Sequence, residues 1–292
     1  MTGSGRSGPR VVALGGGHGL AATLEATRHY AGDVTAIVSG ADDGGSSGRL
    51  RDAFGIPPPG DLRRCLVALG EPGSLWGRVF EHRFDAGELE GHPVGNLIIA
   101  GLATSTGNFI AALEEAGRLV AAAGRVVPAT STPVGLKAEA DGSPVEGQVA
   151  VAGTRHISKV SIVPPDAEPP IEALDALSRA DQVVLGPGSL YTSVLAVVAV
   201  PALRDALAAS PARKVYVCNL RHQVPETEGY DVAAHVEALS AHGLEIDVVL
   251  CDPRGMARGD VAVTCVEADM ARPDGVAHDP VKLARALSAL VG

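Results

Sequence analysis

"RVVALGGGHGLAATLEATRHYAGDVTAIVS", residues 10–39, decides the fold. "RVVAL" at 10–14 is a short apolar run, and "GGGHG" at 15–19 follows it directly. "LAATLEATRHY" at 20–30 has helical spacing, with Leu20, Leu24 and Thr27 on one side. "VTAIVS" at 34–39 is a second apolar run. Strand, glycine loop, helix and strand make one βαβ unit. The right-handed crossover of such a unit puts the loop at the carboxyl end of the first strand, where α/β sheets bind ligands.

Outward from this unit, segments within 60–124 read as helices separated by Gly and Pro. Residues 125–163 read as a β-rich insertion: "RVVPAT", "LKAEADGSPVEGQVAVAG" and "KVSIVP" look like strands, with "ADGSP" as a hairpin turn. The doubly wound pattern resumes at "DQVVLGPGS" (181–189), "KVYVCNL" (214–220) and "IDVVLCD" (246–252). The apolar runs are nearly continuous rather than alternating, which suits a parallel sheet covered on both faces. The expected fold is α/β, Rossmann-like and doubly wound, with a mainly parallel sheet and that insertion. A disordered tail is expected over 1–9 and one domain over 10–292.

Composition narrows the function. The chain has 292 residues, 46% apolar and 20% charged, and a formal net charge of −10. An acidic surface without stacking aromatics argues against nucleic-acid binding. Cys65, Cys218, Cys251 and Cys265 show no metal-site spacing and sit in apolar runs, as buried free thiols do. No window reaches the length of a membrane-spanning helix, and "MTGSGRSGPR" lacks the apolar segment of a signal peptide. A cytoplasmic protein is expected.

Five loops carry the chemistry. Gly15, Gly16, Gly17, His18 and Gly19 offer backbone N–H groups at a helix start, where the dipole attracts phosphate. Gly17-x-Gly19-x-x-Ala22 is also one frame of the dinucleotide fingerprint, out of its usual register, so a dehydrogenase is the least supported reading. "SGADDGGSSGRL" at 39–50 follows the second strand. There Asp42 and Asp43 suit a ribose, a base or a Mg²⁺ on a diphosphate. Gly44, Gly45, Ser46 and Ser47 suit an anion nest, and Ser46 or Ser47 also suits a helix cap. "LGPGSLYTS" at 185–193 repeats the device with Gly186, Gly188 and Ser189. "GHPVGNL" brings His92, a hydrogen-bonder or an acid/base, and Asn96 before an apolar helix. "VCNLRHQVPETEGY" places Asn219 directly after a strand, weighted above Glu226 and Thr227 in the same loop. No nucleophile motif, Walker lysine loop or HExxH is present.

In their order, "LGGGHGL", "ADDGGSSGRLR", "PPGDLRRCLVAL", "GHPVGNL", "GPGSLYTS" and "VCNL…ETEGY" resemble the gluconeogenesis-factor (YvcK-like) family, which is related to the 2-phospho-L-lactate transferases. The resemblance spans about residues 10–252. It implies a Rossmann-like fold, binding of a uridine-diphosphate sugar such as UDP-N-acetylglucosamine, and a role in gluconeogenic growth and cell shape. It implies no firm reaction. The transferase relatives imply a nucleotide-diphosphate pocket with Mg²⁺, for which Asp42, Asp43 and Asp61 are the ligands to test. By the same match, the five loops above line the pocket. His18 stands where the family usually has Thr, and Arg64 where Asn is usual. Expected partners are the nucleotide sugar and further copies of the chain, with no covalent cofactor.

Overall fold

The structure, a computed structural model, describes residues 7–291. Most of the tail expected over 1–9 lies outside these residues. At its end, Pro9 is already tied in, its carbonyl accepting the Gly32 N–H at 2.9 Å.

The chain opens with β1 (Arg10–Gly15), α1 (Gly17–Thr27) and β2 (Asp33–Val38). Helices α2 (Gly45–Phe54), α3 (Pro59–Leu69), α4 (Leu75–Glu81), α5 (Val94–Thr106) and α6 (Phe109–Leu119) follow, then β3 (Arg125–Pro128). The insertion is β4 (Gly135–Ala140), β5 (Ser143–Glu146), α7 (Gln148–Ala152) and β6 (Ile157–Val163). Then come α8 (Ile171–Arg179), β7 (Gln182–Leu185), a π-helical turn (Leu190–Val194), α9 (Leu195–Val198) and α10 (Pro201–Ala209). The last elements are β8 (Arg213–Val217), α11 (Val232–Ala241), β9 (Val248–Cys251), β10 (Thr264–Glu267) and α12 (Pro280–Ser288).

Seven strands form one sheet in the order β10-β9-β8-β7-β1-β2-β3, every pair parallel. In β1 and β2 only the first residue is exposed, as a sheet covered on both faces requires. The α/β doubly wound architecture is therefore as expected. From β1 the chain winds one way through β2 and β3, then crosses back to β7 and winds the other way. The strand order reverses between β1 and β7, the place where such sheets open a ligand crevice.

Three details differ from the sequence reading. Arg125–Pro128 is not part of the insertion but the edge strand of the main sheet, paired with β2. Gln148–Ala152 is a short helix, not a strand, because Gly147 at φ 96° breaks the extended backbone after β5. β10 extends the sheet beyond Asp252, where no strand was expected. The remaining insertion is a three-stranded antiparallel sheet, β5-β4-β6. Its inward residues Leu136, Ala138, Val160 and Ile162 share one core with Leu14, Ile37 and Leu190 of the main body.

The two glycine loops meet across the reversal. A Cβ on Gly19 would lie 2.1 Å from the Pro187 carbonyl oxygen, so α1 reaches the loop after β7 only because residue 19 has no side chain. Thr23 one turn on donates to the Gly186 carbonyl at 2.7 Å and pins the same contact. No single helix among the described residues is long and apolar enough to cross a membrane.

Gly19→Ala should lower stability by about 3 kcal/mol, the upper part of the usual overpacking range. Gly101→Ala, mid-helix in α5 with open space around it, should instead raise stability by about 0.5–1 kcal/mol. Denaturant midpoints at unchanged slope would check both.

Candidate functional site

The carboxyl edge of the sheet holds a cavity of about 560 Å³, bordered by the starts of α1, α2, α3, α5 and the π-helical turn. Helix starts concentrate unpaired N–H groups and positive potential. What fills each of them decides what the cavity can bind.

Two are filled by the protein itself. The Gly17 N–H at the start of α1 donates to Asp61 Oδ2 at 2.7 Å, and Asp61 Oδ1 pairs with Arg64 at 2.6 Å. The first glycine loop therefore presents this N–H to a carboxylate of α3 rather than to the cavity. At the loop after β7, Glu226 plays the same part. Its Oε1 accepts the Tyr191 N–H at 2.6 Å, and its Oε2 accepts the Ser189 hydroxyl. Glu226 is only 3% exposed, and burial raises its pKa despite these donors.

The start of α2 is different. Gly45, Ser46 and Ser47 line the cavity, and their N–H groups precede any intrahelical acceptor. Gly44 occupies the cap position, so neither serine is the cap expected from the sequence; both lie in the first turn. Gly44 N–H is turned aside to Asp42 Oδ1 at 3.0 Å.

Arg63 of α3, 5% exposed, lines the same cavity. Its Nε donates to Asn96 Oδ1 at 3.2 Å and its Nη1 to the Phe80 carbonyl at 3.4 Å. No carboxylate pairs with it among the described residues. Burial lowers its pKa to about 10, so the guanidinium stays charged at neutral pH. Asn96, 2% exposed, passes its Nδ2 to Ser46 Oγ at 3.1 Å, and Ser46 Oγ meets His92 Nδ1 at 2.8 Å. Arg83 also lines the cavity.

On the acidic side, Asp42 and Asp61 line the cavity. Burial, and then the nearby Asp61 charge, raise the Asp42 pKa against the bond from Gly44. Asp43 turns away: its Oδ2 accepts the Gln148 N–H at 2.8 Å and its Oδ1 the Val149 N–H at 3.1 Å, which caps α7. Among the described residues no three His, Cys, Asp or Glu side chains are grouped to hold a metal ion.

Comparison with known proteins gives the family. Residues 11–285 match the family model described as 2-phospho-L-lactate transferase CofD. The chain belongs to the CofD family. A Mycobacterium leprae relative is 44% identical over 309 residues, 96% of this chain and 86% of its own. A Bacillus subtilis protein named gluconeogenesis factor is 43% identical over 237 residues, 80% of this chain and 75% of its own. A crystal structure of a UPF0052-family protein from Bacillus halodurans superposes with a TM-score of 0.90 at 35% identity, covering 97% of this chain and 99% of that one. The loop resemblance read from the sequence thus holds at the level of the family.

Of the residues singled out in this CofD-family chain, Gly17, Asp42, Gly44, Gly45, Ser46, Ser47, Asp61, Asn96 and Ser189 are brought together around the cavity. Gly15, Gly16, His18, Gly19, Asp43, Gly186, Gly188 and Asn219 are not among its lining. Asn219 instead braces the loop after β7, accepting the Gly188 N–H and donating to the Gly188 carbonyl, each at 2.8 Å. Within the loop at 217–230 it is Gln223, Val224 and Glu226 that reach the cavity. Sequence reasoning missed Arg63. Its only signal was an arginine beside Leu62 and Leu66 in a helix that buries Leu62, Cys65, Leu66 and Leu69.

Asp43→Ala should cost about 1 kcal/mol of stability, as loss of a helix cap does. Asp42→Ala should cost much less, because its charge gains nothing from burial. Thermal melts of the two variants side by side would show the difference.

Proposed function

We propose that the cavity binds a nucleoside-diphosphate sugar of the UDP-N-acetylglucosamine type. On this reading the chain is a cytoplasmic regulatory gluconeogenesis factor, tied to carbon metabolism and cell shape. One observation carries the reading: Arg63 is a buried cation with no carboxylate in ion-pair range, and it lines the same cavity as the first turn of α2. A buried charge without an ion pair is costly, Glu81 and Asp61 acting on it only from beyond contact, and a diphosphate seated between Arg63 and α2 would neutralise it. The first and second glycine loops then act as walls, already satisfied by Asp61 and Glu226, and the loop after β2 acts as the phosphate cradle. Hydroxyl and amide side chains of Thr192, Ser193, Gln148 and Gln223 supply partners for a sugar.

The residues fit a Mg²⁺ in part. Asp42, whose carboxyl is destabilised by burial and by Asp61, would be relieved by a cation beside it, whereas Asp61 has its two oxygens on the Gly17 N–H and Arg64. Mg²⁺ commonly takes one or two carboxylates and completes its shell from phosphate and water. It would supply charge neutralisation at the diphosphate. Asp43, with both oxygens on α7, is not part of that set.

A second reading, a transferase using a nucleotide-activated phospholactate and Mg²⁺, is favoured by the family match over residues 11–285. Against it, no aromatic side chain is among the described residues that line the cavity, where one would stack a flat acceptor. Turnover with a deazaflavin acceptor, GTP-activated phospholactate and Mg²⁺ would support the transferase reading.

Calorimetric titration with UDP-N-acetylglucosamine should give saturable heat, and none at millimolar ligand would refute the proposal. Arg63→Met should weaken binding roughly tenfold to a hundredfold, the range for charged hydrogen bonds. Its melting temperature should fall, since the change leaves buried Asn96 Oδ1 and the Phe80 carbonyl without their donor.

A further inference from the structure

Ser46 and His92 are 46 residues apart in sequence and come from different elements, yet Ser46 Oγ lies 2.8 Å from His92 Nδ1. The direction of that bond follows from Arg63. A guanidinium Nε only donates, so the Asn96 atom facing it at 3.2 Å is the oxygen. The Asn96 amide nitrogen therefore faces Ser46 and donates to its Oγ at 3.1 Å. Ser46 has one proton of its own, and the acceptor placed to take it is His92 Nδ1. Arg63, Asn96, Ser46 and His92 thus form a relay whose polarity starts at a fixed cation.

We propose that Ser46 is a nucleophile with His92 as its base, acting on a phosphorus-centred electrophile bound in the cavity. Ser46 lines the cavity and His92 sits behind it, buried, with its backbone held by the Leu89 carbonyl and the Phe84 N–H. Burial, and then Arg49 and Arg83, lower the His92 pKa, which keeps the imidazole neutral and able to accept a proton. Serine within hydrogen-bond reach of a histidine base is the nucleophile–base half of an activated-nucleophile arrangement. The N–H groups at the start of α2 and the Arg63 guanidinium flank the position where negative charge grows at phosphorus. In the step, Ser46 Oγ forms a bond to phosphorus while the bond from phosphorus to the leaving group breaks. The leaving group departs with the bonding pair, and the Ser46 proton passes to His92 Nδ1. For a nucleoside diphosphate sugar, attack at the sugar-bearing phosphorus releases the nucleoside monophosphate and leaves a phosphosugar ester on Ser46. Sequence motifs could not show this pair, because no short spacing links Ser46 to His92.

The proposal takes its electrophile from the anion-binding reading above, but the test does not depend on any nucleotide. A fluorophosphonate probe reacts with activated serines, its fluoride leaving as Oγ bonds to phosphorus. Incubating the full chain with the probe and mapping adducts by mass spectrometry should place the label on Ser46. Ser46→Ala should abolish that adduct, and His92→Asn should slow it at least tenfold while the fold, followed by circular dichroism, is retained. Label absent from Ser46 in the wild-type chain would overturn the proposal, whether or not either variant folds. Equal labelling rates in wild type and a folded His92→Asn variant would also overturn it. Protection of Ser46 by UDP-N-acetylglucosamine supports both readings. Labelling without protection leaves the activated serine standing and removes the nucleotide-sugar reading.

Discussion

Everything at the carboxyl edge depends on how closely two loops approach each other. β1 and β7 are neighbours in register, Val11 beside Gln182 through Leu14 beside Leu185, although more than half the chain lies between them. Their loops would collide if α1 carried a side chain at its third residue, which rests against the Pro187 carbonyl. That absent methyl group brings the reversal point together. The starts of α2, α3 and α5 are then drawn in around the same edge. Remove the approach and the helix starts no longer share a cavity.

Electrostatics refines what that convergence means. Several helix starts in one place would repel one another and any cation among them. The protein answers by inserting Asp61 into one start and Glu226 into another. The start of α2 receives no such carboxylate from elsewhere in the fold, and Arg63 in the same cavity forms no ion pair. The cavity is therefore a place where positive potential has been cancelled selectively rather than everywhere, and the uncancelled part marks where an anion fits.

The βαβ unit, the parallel sheet and the loops at its edge were legible because each rests on local signals: continuous apolar runs, glycine at the loops and helical spacing after them. The sheet to which β3 belongs is not legible, because "RVVP" carries no sign of its partner; only the pairing with β2 places it. α7 was read as a strand because "QVAVA" has apolar spacing suited to either, and the deciding backbone conformation is at Gly147. In the site, the cavity-facing role of Asp42 to Ser47 was largely visible from composition. The division of labour within it was not. Asp42 and Asp43 are adjacent and chemically identical, yet one faces the cavity and the other α7. Arg63 and Glu226 are ordinary charges in sequence, and only burial among particular neighbours gives them weight.

Asp43 has a wider consequence. Its carboxylate joins the loop after β2 to backbone N–H groups more than a hundred residues downstream. The three-stranded sheet is thus fastened, through α7, to the wall of the cavity beside Asp42. Local opening in proteins proceeds in cooperative units set by such contacts. By that rule the amides of Gln148 and Val149 are expected to open with the loop at 42–47, to which Asp43 ties them. Hydrogen exchange would report them together, with the small sheet and the cavity wall opening as a single piece.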